Sequence, residues 1–199
     1  MGRNAVDKKR IKDPLKREKW ISELSPAFFE HGIKKLNAEQ VAETLNKSKA
    51  TVYKHFDSHR EIVLLVMQTK LLSLQGFQPI LANEAKTYPD RYVEAVDFIS
   101  THLGEVSNVF LSDLKAIYPD LWDLIHAFKT FAMQCLRSFY QAGAKDGVFQ
   151  DLNPDLLVLS DELFFDVLTD ADYLSEKGLT MQVAFTDYFK MRFHGILKA

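Results

Sequence analysis

The chain has 199 residues, 47% apolar and 12% aromatic, which is enough to bury a proper core in one or two domains and argues against disorder. The single cysteine excludes an intramolecular disulfide, and no run reaches the roughly 18 apolar residues of a membrane helix. The Met-Gly-Arg-Asn start opens no signal-peptide core, so a soluble, cytoplasmic protein is expected. The net charge of −2 hides a split: residues 1–60 hold 14 Lys and Arg against 8 Asp and Glu (+6), and residues 61–199 hold 11 against 19 (−8), so a basic head sits on an acidic body.

Residues 1–12, with Arg3, Lys8, Lys9, Arg10 and Lys12, form a basic arm suited to a DNA backbone or minor groove, or a solubilising tail. Asp13-Pro14 reads as cap and first residue of a helix whose inner face is Trp20, Ile21, Leu24 and Phe28. Pro26 predicts a kink near Ser22 or a restart at Ser25, and Gly32 ends the helix. Asn37, with Gln40 three residues on, opens a short helix carrying Val41, Ala42 and Leu45. After Asn46-Lys47, Ser48 caps a second one that turns Val52 and Phe56 inward and Lys49, Thr51, Tyr53, Lys54 and His55 outward. Asp57 or Ser58 caps a third, continuing to about Gln75, with Glu61 in its first turn. Two short helices joined by a tight turn are the form that lays the second helix in a DNA major groove. Lys, Thr, Tyr and His suit phosphates and base edges there, although polar outer faces occur on any small helical domain.

The run Ala42-x5-Ser48-x2-Thr51-Val52-Tyr53-x-His55-Phe56-x-Ser58 resembles the DNA-binding core of the tetracycline-repressor (TetR-like) regulators. Ala27 to Gly32 is similar to the end of that family's first helix. The resemblance implies an all-α protein with a DNA-binding domain at 1–57 and a ligand-binding and dimerisation domain at 58–199. It implies a ligand-responsive regulator, most simply a repressor, that binds a palindromic operator as a homodimer. Lys49, Ala50 and Lys54 are the base-reading candidates. Lys47, Ser48, Thr51, Tyr53, His55 and His59 are the phosphate-holding candidates, and Asn37 completes the DNA-binding set. Two departures stand out: Asn46-Lys47 replaces the usual Gly-Val, with Asn able to take the left-handed conformation, and His59 stands where the family has lysine.

The body reads as helical throughout. Segments start near Pro89, Leu111, Asp120 (a cap), Asn153-Pro154 and Thr180. Twelve of the 15 Phe follow residue 60. Most belong to a core, yet a Phe-, Met- and Trp-rich body can also hold an apolar ligand, with Phe110, Trp122, Phe131, Met133 and Phe164 as candidate lining. The acidic group Asp161, Glu162, Asp166, Asp170 and Asp172 suits a cationic ligand, a solvated face or a subunit interface. Leu156 to Leu168 is apolar too far round to be buried by one neighbour, and the resemblance assigns about 154–170 and 181–197 to a four-helix dimer contact. Cys135 reads as a buried thiol or a reactive sensor. His55 and His59 have metal spacing, but Phe56-Asp57-Ser58 breaks the helix between them, so no metal is expected. No cofactor and no catalytic set is expected either, since no Gly-rich phosphate loop or Gly-x-Ser-x-Gly elbow is found. The rival reading is a helical small-molecule-binding protein whose head docks a protein partner rather than DNA.

Overall fold

In the computed structural model, which describes residues 13–197, Asp13 accepts a hydrogen bond from the Lys16 backbone N–H at 3.3 Å and Pro14 takes the first helical position. The basic arm expected over 1–12 lies outside the described residues. Helix α1 (Pro14–His31) runs through Pro26 as one helix, so the expected restart does not occur. Pro26 and Ser22, the residue whose carbonyl the proline leaves without its helical donor, are both exposed. The Ser25 hydroxyl donates to the Ile21 carbonyl at 2.7 Å beside it.

The next three helices are short, short and long: α2 (Ala38–Thr44), α3 (Lys49–Val52) and α4 (His59–Leu74). Asn37 caps α2, accepting from the Glu39 N–H at 2.8 Å and the Gln40 N–H at 3.4 Å. Ser58, not Asp57, caps α4, accepting from the Glu61 N–H at 3.1 Å. The body follows as α5 (Phe77–Leu81), α6 (Tyr88–Leu103), α7 (Asn108–Ile117), α8 (Trp122–Lys145), α9 (Pro154–Leu168), α10 (Ala171–Glu176) and α11 (Met181–Ile196). Asp120 does not cap α8: it sits in a 3-10 turn (Pro119–Leu121), and its carboxylate takes the Arg60 guanidinium instead. Helix α10, which hydrophobic spacing did not reveal, is held by Asp170 accepting from the Tyr173 N–H at 3.0 Å.

Two buried apolar clusters hold these elements. One runs from Trp20, Phe28, Val41, Val52 and Phe56 through Ile62 and Val66 to Phe110, Leu114 and Leu174, so the head's core continues into the body. The other joins α5, α6, α8, α9 and α11, with Tyr92 stacked on Phe193 at 4.5 Å between ring centres. No strand is formed among the described residues; a single antiparallel bridge ties Phe149 to Leu197.

Candidate functional site: an exposed short helix and an apolar cavity below it

The turn between α2 and α3 follows from Asn46. Its φ of 52° is left-handed, as its replacement of glycine requires. The Asn46 N–H then donates to the Glu43 carbonyl at 2.8 Å and the Lys47 N–H to the Ala42 carbonyl at 2.9 Å, closing a Schellman turn. Ser48 starts α3 immediately afterwards, accepting from the Thr51 N–H at 3.1 Å. Val52 and Phe56 anchor this unit below, both essentially inaccessible.

Above them Lys47, Ser48, Lys49, Ala50 and Lys54 are exposed, together with Asn37, and Thr51 is half-buried with its hydroxyl 2.9 Å from that of Ser48. Lys49 pairs with Glu39 at 2.5 Å, and that contact holds the Glu39 carboxyl below its ordinary value. Because the pair is exposed, the ammonium can leave it with little loss.

Three expected phosphate holders are arranged otherwise. His55 is only 6% exposed and stands edge-on to Trp20, ring centres 4.9 Å apart, so it is a core residue. The expectation extended α3 as a regular helix to residue 55, but α3 ends at Val52 and the turn after it rotates His55 inward. The Tyr53 hydroxyl is buried without a partner, and burial pushes it above its usual pKa. His59 also faces inward: Nε2 lies 2.6 Å from the Leu36 carbonyl and Nδ1 3.0 Å from the Tyr118 hydroxyl. Its ring therefore ties the loop before α2 to the end of α7, and it offers no phosphate contact in this arrangement.

The same junction has further ties. Arg17 of α1 meets Glu61 of α4 at 2.5 Å. The Ser107 N–H donates to the Phe29 carbonyl at 3.0 Å. Buried Asp113 of α7 accepts from the Lys34 backbone N–H at 2.9 Å and meets the Lys34 ammonium at 2.9 Å. None of these body residues announced a head contact in the sequence, because their partners lie 44 or more residues away.

Beneath the junction, a cavity of about 130 Å³ lies among α4, α6, α7, α8, α9 and α11. Of the candidate lining residues, Phe110, Met133 and Phe164 stand at its wall; Trp122 and Phe131 do not. The Trp122 ring lies under the Lys115 ammonium at 5.9 Å, and Phe131 packs edge-on against Phe77 at 5.8 Å. Helical spacing showed that these rings were large and apolar, not which side of α8 faced the void.

Two charged side chains reach this wall, and sequence reasoning did not single them out together. Lys70 is buried along its stem, with its ammonium 2.6 Å from Glu105 and 5.5 Å over the Phe29 ring. Asp161 is 1% exposed, which sets it apart from the acidic residues around it on α9 and α10. It accepts from the Tyr140 hydroxyl at 2.8 Å and the Tyr188 hydroxyl at 2.9 Å and lies 3.2 Å from Arg192. Burial pushes its carboxyl up, against Arg192 and the two hydroxyls, which pull it down. A signal was present: Asp161 falls in the series Leu157, Asp161, Phe164, Leu168, the apolar face of α9. Three of the other acids are engaged near the surface: Asp166 with Lys129 at 2.6 Å, Asp170 with the Tyr173 N–H at 3.0 Å and Asp172 with Ser112 at 2.7 Å. Among the described residues no three His, Cys, Asp or Glu converge as a metal site.

With this geometry in view, comparisons add a family segment and a fold. The model for bacterial regulatory proteins, tetR family, matches residues 27–66. No curated sequence matches the chain. A Saccharomonospora viridis chain described as a transcriptional regulator, in complex with choline, is similar over 94% of this chain and all of its own, at a TM-score of 0.73 and 18% identity. The TetR-family regulator PfmR from Thermus thermophilus is similar over 90% of this chain and all of its own, at 0.65 and 17%. The fatty acid degradation regulator FadR from Bacillus halodurans is similar over 93% of this chain and 97% of its own, at 0.64 and 16%.

Proposed function

Because this chain is TetR-like in its N-terminal segment and in its fold, we propose that it is a ligand-responsive repressor that binds a palindromic operator as a homodimer. The observation that carries the reading is the free upper face of α3. Lys49 and Ala50 on α3, and Lys54 in the turn after it, are exposed, and Val52 and Phe56 lock the unit beneath them. Lys49 is assigned to a guanine edge, where a lysine can reach both major-groove acceptors. Lys47, Ser48 and Thr51 are assigned to phosphates, with Asn37 alongside. Residues 1–57 act as the DNA-binding unit and 58–199 as the ligand-binding and dimerisation unit.

The dimer contact is assigned to α9 and α11. Leu156, Leu159, Leu163 and Val167 form one stripe along α9 and are all exposed, Leu163 by 61%, as are Val183 and Met191 on α11. An apolar stripe of that length suits a second copy of the same helices. Two heads on one dimer read two half-sites about one DNA turn apart, which a single head cannot do with comparable specificity.

The cavity is assigned to the effector. Met67, Lys70, Leu71 and Leu74 bring α4 to its wall, and the first turn of α4 carries His59, Arg60 and Glu61, which grip head and body. A ligand that shifts α4 therefore changes the setting of the head, and by linkage the operator weakens ligand binding by the same factor. The test is selection of a duplex from a random-sequence pool, followed by titration of wild type and Lys49→Ala. A loss of about 1–3 kcal/mol confined to one base pair per half-site supports base reading. Failure to retain any duplex, with retention of a protein partner instead, would favour a head that docks protein.

A further inference from the structure

The charge balance of the cavity points to the kind of molecule it takes, given the effector reading above. We propose that the occupant is a neutral, compact, apolar molecule, aromatic or branched aliphatic, and neither a cation nor an anion. The volume sets the size. An engineered cavity of about 150 Å³ lined by Leu, Ile and Phe stays dry and takes benzene, so a molecule of roughly 6–7 non-hydrogen atoms fits about 130 Å³ here.

The chemistry of the wall sets the charge. Its surface is apolar almost throughout, supplied by residues such as Phe110, Val96, Met133 and Phe189. The one carboxylate in that wall, Asp161, is already matched by Arg192 at 3.2 Å and by two tyrosine hydroxyls. With Asp161 ionised, the pair is neutral; with it protonated, as its burial favours, the site turns positive. In neither state does the wall present the uncompensated negative charge that would replace a cation's lost water. Two of the wall's aromatic rings have a face already taken: Phe164 is stacked on Tyr188 at 3.8 Å, and Phe29 lies under the Lys70 ammonium at 5.5 Å. At the other side, the Lys70 ammonium is turned to Glu105 and the Phe29 ring, so an anion would have to break an existing pair to find a partner. This separates the chain from the similar Saccharomonospora viridis protein, which was crystallised with choline.

An isosteric series tests it by calorimetry on the full chain. Neohexyl alcohol is choline with carbon in place of nitrogen, and tert-butylacetate is its anionic counterpart; toluene adds a second neutral shape. The expected result is binding of the neutral probes at least about tenfold tighter than choline or tert-butylacetate, which is the penalty of an unmatched buried charge. Ala132→Phe, which fills the cavity from α8, should abolish it while the melting transition and duplex binding persist. Choline or tert-butylacetate binding as tightly as the alcohol would overturn the proposal, and so would failure of both neutral probes to bind. Either result leaves the DNA-binding reading standing if a selected duplex is still retained. Neutral binding that leaves duplex affinity unchanged supports the ligand class and removes the effector role.

Discussion

Gly32→Ala is the sharpest probe of how head and body are joined. Gly32 has φ 82° and ψ 171°, a region open to glycine alone, and it ends α1 where the chain turns toward α2. A Cβ there would lie 2.7 Å from the Asp113 carboxylate and 2.8 Å from Val109 on α7. Asp113 cannot simply step aside, because it is buried and holds the Lys34 N–H and ammonium, both at 2.9 Å. The backbone strain costs about 1–3 kcal/mol. Weakening the Asp113–Lys34 contact adds about 1–2 kcal/mol. The smaller entropy of the unfolded alanine chain returns about 0.4–1 kcal/mol. A net loss of roughly 1–4.5 kcal/mol follows, a large share of the ~5–15 kcal/mol of a typical fold. Urea denaturation should show a lower midpoint with an unchanged slope. Adding Val109→Ala should recover only the part due to that one contact, since the dihedral strain remains. A Gly32→Ala protein within about 0.5 kcal/mol of wild type would refute the reasoning, because surface substitutions alone stay in that range.

Three other outcomes follow from the same structure. Leu163→Asp places a charge in the middle of the exposed α9 stripe and should give a monomer by sedimentation without lowering the helix signal; an unchanged dimer would remove α9 from the interface. His59→Ala leaves the Leu36 carbonyl without its 2.6 Å partner and should cost about 1–3 kcal/mol in denaturation; a cost near zero would mean water replaces the ring fully. Asp161 has a raised folded-state pKa, so the stability it contributes is present at low pH and declines as pH rises from its ordinary 3.8 through the folded value. Wild type should therefore lose stability relative to Asp161→Asn over that rise, and a relative gain would reverse the sign of the burial argument.

Which parts could be read from the sequence depends on how local the physics is. Asn37, Ser48, Ser58, Asn153 and Thr180 each cap a helix because the bonds span two or three residues, and Asn46 takes the left-handed turn its neighbours demand. Side-chain direction beyond a helix end is not local. His55 turns under Trp20 and His59 reaches Tyr118, partners 35 and 59 residues away, whereas local spacing alone points both outward. Asp161 hid for the same reason: Tyr140, Tyr188 and Arg192 come from two other helices, and an acid among acids looks like a surface. The aromatic wall divided by side of helix, which kept Phe110, Met133 and Phe164 at the cavity and sent Trp122 and Phe131 elsewhere.

The claim beneath all of this is that the exposed face of α3 and the turn before it meet a DNA duplex. Affinity for a selected duplex, measured by anisotropy across a range of salt concentrations, tests it most directly. The account predicts a steep linear fall of log affinity with log salt, and for Lys47→Ala a slope smaller by about one per head. Binding indifferent to salt, or a slope that Lys47→Ala leaves unchanged, would contradict it.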